Sequence, residues 1–261
     1  MNTERRSRDT QRTALLCETT MVSGLVNTSQ NRLPPLPPEQ LSEAQRQAVA
    51  ALLAGPRSTL EGPFIPLLRS PALMTRLQQT GAYLRFESPL PARLRELVIL
   101  WVARHWHQPV EWAIHYPLAL AAGLPPVLLE AIRQGRRPGE LTPADLSQDK
   151  LSPEDLTPEE WLALDVCEAL SAQRGLDDAT YARAVDLLGE AGLIDLIVLV
   201  GYYGLLALVL NVARTAAPPC PAPLSPPDGG TSCGPAAAPC PPAPPPSRTP
   251  DSDPPASRRR A

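Results

Sequence analysis

Aromatic side chains are scarce in this chain, making up 4% of its 261 residues. β-Branched residues rarely alternate with polar ones either, so the period-two signal of half-buried strands is missing, while Ala, Leu, Glu, Arg and Gln dominate. The fold class is therefore all-α. Cysteine is sparse as well: Cys17, Cys167, Cys220, Cys233 and Cys240 are odd in number and contain no C-x-x-C pair. Neither a disulfide framework nor a zinc-ligand spacing is indicated, and a reduced, cytoplasmic setting with no metal is expected.

Charge of one sign is lacking too. The formal net charge is −3, with acids and bases interspersed, so neither nucleic acid nor an anionic membrane is favoured as a partner, although Arg258, Arg259 and Arg260 form a small basic terminus. The apolar fragment at 13–17 is too short for a secretory signal. The one long apolar stretch, 193–213, has a clean run of 15 residues at 196–210, bounded by Asp195 and Asn211. A bilayer span needs about 20, so this stretch reads as a buried core or subunit-interface helix rather than a membrane segment. A small molecule remains the default partner.

What is abundant is proline, and it is unevenly spread: 16 of the 34 fall in residues 216–261. That segment has almost no large apolar residue and cannot bury a core, so it reads as a disordered tail. Residues 1–32, rich in Arg, Thr, Ser and Asn, read as a disordered arm. Between them, 33–215 suffices for one helical domain.

Within that body, apolar residues at helical spacing and punctuation by Gly and Pro predict helices over 38–54, 71–86, 91–107, 109–122, 126–134, 158–172, 178–190 and 192–214. A Gly- and Pro-rich connector precedes the second helix, and a polar linker covers 135–153. Pro109 suits a first helical turn, Gly123 a C-terminal cap, and Pro117 a kink. Thr157 with Glu160 three residues on, ahead of the apolar run from Trp161, is a capping box.

The chemistry-bearing residues cluster on the third and fourth helices. Glu96 shares a stripe with Leu100, Ala103 and His107, while Leu94, Leu97, Val98 and Trp101 cover the neighbouring faces. A helix apolar nearly all round is buried, and a carboxylate there must be paired, hydrogen-bonded or shifted in pKa. Glu96 is thus either a structural partner of an arginine, such as Arg93 or Arg95, or a site residue. Glu111 and His115 lie four residues apart on one helical face, so the carboxylate can orient the imidazole. Glu111 also sits in the first turn, where the helix dipole favours an anion.

All three histidines, His105, His107 and His115, fall within eleven residues, and imidazole is the side chain suited to proton transfer near neutrality. His105 and His107 point about 200° apart on a helix, which opposes joint metal ligation.

The run Arg93-Leu94-Arg95-Glu96-Leu97-Val98-Ile99-Leu100, followed by Glu111-Trp112-Ala113-Ile114-His115 and by Ala122-Gly123-Leu124, resembles the carboxymuconolactone decarboxylase family, which includes alkylhydroperoxidase D. Val200-Gly201-Tyr202-Tyr203 and Leu210-Asn211 look like that family's last helix. The resemblance implies an alkylhydroperoxidase D-like helical bundle that assembles into a dimer, trimer or hexamer.

Where the peroxidase branch carries its two cysteines this sequence has Gln108 and Glu111, neither of which forms a thiolate. The resemblance therefore implies the decarboxylase branch, acting without a cofactor on a small carboxylated lactone or related ring acid. In it His115 transfers the proton, Glu111 orients it, and Glu96 is a second buried carboxylate. Arg93, Arg104, Gln108, His107 and Trp112 are the candidate substrate contacts, with Arg93 or Arg104 taking the carboxylate. Two other readings stay open: a thiol peroxidase using Cys167, and a non-catalytic helical oligomer whose Pro-rich tail recruits partners.

Overall fold

Ser42 accepts the amide of Gln45, whose side chain returns to the Ser42 amide, and this capping box starts the first α-helix, α1, Glu43–Leu53. The computed structural model describes residues 31–57, 59–137 and 156–224. The helix expected over 38–54 is thus divided. A single 3₁₀ turn, Pro38–Gln40, comes first, and the chain becomes extended at Leu41 and Ser42 before α1 begins.

Seven further α-helices follow among the described residues: α2 (Phe64–Leu67), α3 (Pro71–Ala82), α4 (Ala92–His105), α5 (Pro109–Ala121), α6 (Pro126–Arg133), α7 (Pro158–Gln173) and α8 (Asp178–Ala213). No strand occurs among them, as the composition predicts.

Three differences from the expected boundaries matter. The connector before α3 contains the short helix α2. The helix expected to reach Phe86 loosens after Ala82 into a π-turn, Tyr83–Glu87. Residues 178–213 form one continuous stretch of helical hydrogen bonding, but Gly189 sits inside it at φ 69°, ψ 168°. Only glycine adopts that conformation cheaply, so α8 comprises two helical segments meeting at the junction expected near residue 190.

Helix α4 is the centre of the body. Leu94, Val98, Ile99 and Val102 face a core shared with α1, α3, α7 and α8, where Leu52, Met74, Leu162, Leu196 and Leu199 are packed. On its other side Leu97, Leu100 and Ala103 join Trp112, Leu128, Leu129 and Leu164 from α5, α6 and α7. A fully buried leucine contributes about 1.5–3 kcal/mol, so a helix buried on both sides is an anchor whose position is over-determined. The Thr157–Glu160 capping box starts α7, and Glu160 also holds Arg93 of α4 at 2.7 Å.

The ordered chain continues past the expected boundary at Thr215. Ala222 accepts the Trp112 indole N–H at 2.7 Å, and Cys220 and Leu224 pack on the second core. A buried indole needs an acceptor, and the start of the expected loose tail supplies it. Residues 1–30 of the arm, the remaining tail and most of the 135–153 linker lie outside the described residues.

Candidate functional site

Helices α4 and α5 place Glu96 and His115 face to face. The His115 Nδ1 lies 2.7 Å from Glu96 Oε2. On the other side of the ring, Nε2 lies 3.5 Å from Glu111 Oε2, one helical turn earlier, and 3.3 Å from the Tyr203 hydroxyl of α8. All four side chains are buried; Glu111 is 3% and His115 2% exposed. Tyr203 meets the imidazole edge-on, with ring centroids 5.2 Å apart.

This geometry selects a tautomer. The Glu96 carboxylate at 2.7 Å accepts at Nδ1, and burial pushes the Tyr203 phenol well above its ordinary range, so its hydroxyl keeps a proton to donate toward a bare Nε2. The imidazole then carries its proton on Nδ1 and donates it to Glu96, which fixes the ring plane. Burial likewise raises the Glu111 carboxyl above the usual carboxylate range, opposed by His115 in its protonated form and by the charges of Arg85 and Arg57. Oε1 of Glu111 is buried without a hydrogen-bond partner among the described residues.

His115, Glu111 and Tyr203 form one wall of a cavity of about 180 Å³. Its opposite side comes from the connector before α2 (Arg57, Thr59, Glu61) and from the π-turn (Arg85, Phe86). Neither arginine makes an ion pair among the described residues; each guanidinium rests on a phenyl ring instead, Arg57 on Phe64 at 4.7 Å and Arg85 on Phe86 at 5.2 Å. The Arg57 Nε is buried and unpartnered, and burial lowers that guanidinium's pKa. A half-buried guanidinium that makes no ion pair carries a desolvation cost, which Glu111 on the facing wall of the cavity offsets only at longer range.

The π-turn is held in place by two hydroxyls on one carboxylate: the buried Ser88 donates to Asp195 at 2.6 Å and the exposed Tyr83 at 3.1 Å. These bonds tie the end of α3 to α8 and so set Arg85 opposite Tyr203.

The residues expected to contact substrate lie elsewhere. Arg93 binds Glu160 and the Gly123 carbonyl. Arg104 donates to the Arg133 carbonyl, and its Nη1 lies 3.4 Å from both ring nitrogens of His107, which is exposed. Gln108 caps α5 through the Val110 amide and reaches Asn211 of α8 at 2.8 Å. Trp112 is wholly buried in the second core. None of the five borders the cavity.

Arg57, Arg85 and Tyr203 do border it, and local periodicity does not mark them. The punctuation around Gly55-Pro56 and Ser88-Pro89 was the only local sign that the chain turns back there.

No groups of three or more His, Cys, Asp or Glu side chains suited to a metal ion occur among the described residues. The two carboxylates at His115 occupy opposite ring nitrogens, so no single point is within bonding distance of all three groups. Cys167 is fully buried and its thiol is pushed far up by desolvation. The chain matches no protein-family model, no curated protein and no solved structure.

Proposed function

We propose that this chain is a cofactor-independent acid–base enzyme resembling carboxymuconolactone decarboxylase, a cytoplasmic homo-oligomer acting on a small carboxylated lactone or related ring acid. The observation that carries the reading is one buried imidazole held between two carboxylates on the wall of a cavity whose facing arginines have no acid partner.

In the reaction the bond between the ring carbon and the substrate carboxylate breaks. Carbon dioxide leaves, and the electron pair delocalises into a dienolate. Arg57 and Arg85 stabilise the charge that develops on the dienolate oxygen, where a positioned donor is worth about 10²–10³ in rate. A protonated His115 gives its Nε2 proton to the carbon and is reprotonated from solvent, so one proton is consumed for each carbon dioxide released. Glu96 keeps the ring oriented throughout, and Glu111 holds a proton beside Nε2.

The test is a screen of the purified full chain against lactone acids for carbon dioxide release, with His115→Gln alongside. Release by the wild type that falls about 10²-fold in the variant supports the proposal. Release that persists unchanged in the variant removes His115 from the chemistry.

A further inference from the structure

The second segment of α8 is buried on one side and bare on the other. Ile194, Val198, Leu205, Leu208 and Val212 are 58%, 40%, 40%, 48% and 62% exposed. Gly201 is exposed between them, with open space where a Cβ would stand. The intervals along this stripe are four, three, four, three and four residues, which is the seam of a left-handed helix pair. No described residue covers it.

We infer that this face binds the same face of a second copy of the chain, antiparallel, about a two-fold axis beside residue 203. The spacing reads the same in both directions, so one rotation seats Ile194 on the partner's Val212, Val198 on the partner's Leu208, and Leu205 on the partner's Gly201. The last pair sets a leucine knob against the one empty position, and glycine there allows close backbone approach. A two-fold interface must be self-complementary in this way.

Charge selects the orientation. Exposed Glu190 and Arg214 flank the stripe at its two ends. Antiparallel packing brings each toward its opposite on the partner, whereas parallel packing would set like against like. The stripe supplies only part of the roughly 800 Å² per copy of a standard interface, so the half-buried Ile197, Val200 and Val209 beside it belong to the contact and the association is concentration-dependent. A lipid surface fits less well: residues 191–213 contain no Lys or Arg, the side chains that hold an interfacial helix on an anionic bilayer.

Inside each copy the opposite face of this segment carries Tyr203 and Leu206, both lining the cavity. The pairing therefore braces the helix that positions the Tyr203 hydroxyl.

Sedimentation velocity of the full chain over a concentration series tests the assignment. An even-numbered assembly is expected, and V198E/L208E should halve its mass while keeping the wild-type helical circular dichroism, because both positions are exposed.

A second variant reads the register. With Cys17, Cys220, Cys233 and Cys240 replaced by Ser, V198C/L208C should form a covalent dimer on mild oxidation, while V198C alone should not. Within one copy the two positions lie about 15 Å apart along the helix, too far for an internal disulfide. A monomer at every concentration, a trimer indifferent to V198E/L208E, a covalent dimer from V198C alone, or a monomer that sediments with phosphatidylglycerol vesicles would each overturn the pairing.

Discussion

Two cavities in this molecule are furnished with histidine and arginine, and they differ in what those side chains have left to do. The larger, about 320 Å³, is bordered by Trp101, Arg104, His105, His107, Arg136, Arg137 and Glu168. There Arg137 pairs with Asp165 and Glu168, and Arg104 donates to the Arg133 carbonyl. Its histidines are exposed, and their pKa values are lowered by partial desolvation and then by neighbouring positive charge.

The smaller cavity has the buried histidine with a carboxylate at each ring nitrogen, two arginines with no acid partner, and an orphaned carboxyl oxygen. Size points to the first, and the buried histidine with its two flanking acids points to the second. Buried polar groups without partners cost free energy that folding must otherwise supply, and in the smaller cavity Arg57 Nε and Glu111 Oε1 are two such groups on residues that line the space.

Substitutions can break that contrast. The largest expected effect is on turnover: His115→Gln should lower kcat by about 10²-fold or more, while His105→Gln, in the larger cavity, should stay within about twofold. Equal losses in steady-state kinetics would erase the distinction between the cavities.

Next is the arginine pair. Arg57→Ala or Arg85→Ala should each reduce kcat/KM by about 10–100-fold. Arg137→Ala, which breaks partly exposed ion pairs with Asp165 and Glu168, should cost about 1 kcal/mol of stability or less and leave kcat/KM alone.

The smallest effect is on stability against pH. The folded state holds the Glu111 proton more tightly than the unfolded chain does. Its contribution is therefore complete below the ordinary carboxylate range and is lost as pH rises through the raised folded value. Glu111→Gln has no charge to desolvate, so its Tm relative to wild type should climb by about a few degrees from acid toward neutral pH. A difference that is flat with pH would place Glu111 in a more solvated setting than its 3% exposure indicates.

The sequence carried the features that repeat locally. The uninterrupted apolar character of 94–103 marks α4 as buried, Thr157 and Glu160 mark the start of α7, and the four-residue spacing of Glu111 and His115 puts them on one face. Long-range partners were not legible. Whether Glu96 would meet an arginine or His115 depends on how α4 and α5 cross, which no spacing within either helix specifies.

Arg57 and Arg85 were missed for a related reason. They sit in a punctuated connector and in a π-turn, where no period distinguishes a side chain facing the core from one facing water, and the Ser88–Asp195 bond that sets the π-turn joins residues 107 apart. Of the two arginines of the Glu96 helix expected to take a substrate carboxylate, Arg93 is engaged by Glu160 and Arg104 by the Arg133 carbonyl.

The central claim is that Glu96 and Glu111 hold the two ring nitrogens of one buried histidine in different roles. Long-range ¹H–¹⁵N spectra of the protein labelled in its three histidines, assigned with His115→Gln, test it without any substrate. The account predicts that His115 in its neutral form carries its proton on Nδ1, with that proton shifted downfield by the 2.7 Å bond to Glu96 and slow to exchange, and that Glu96→Gln abolishes the downfield signal. A His115 proton on Nε2, or one that exchanges as fast as those of His105 and His107, would contradict it.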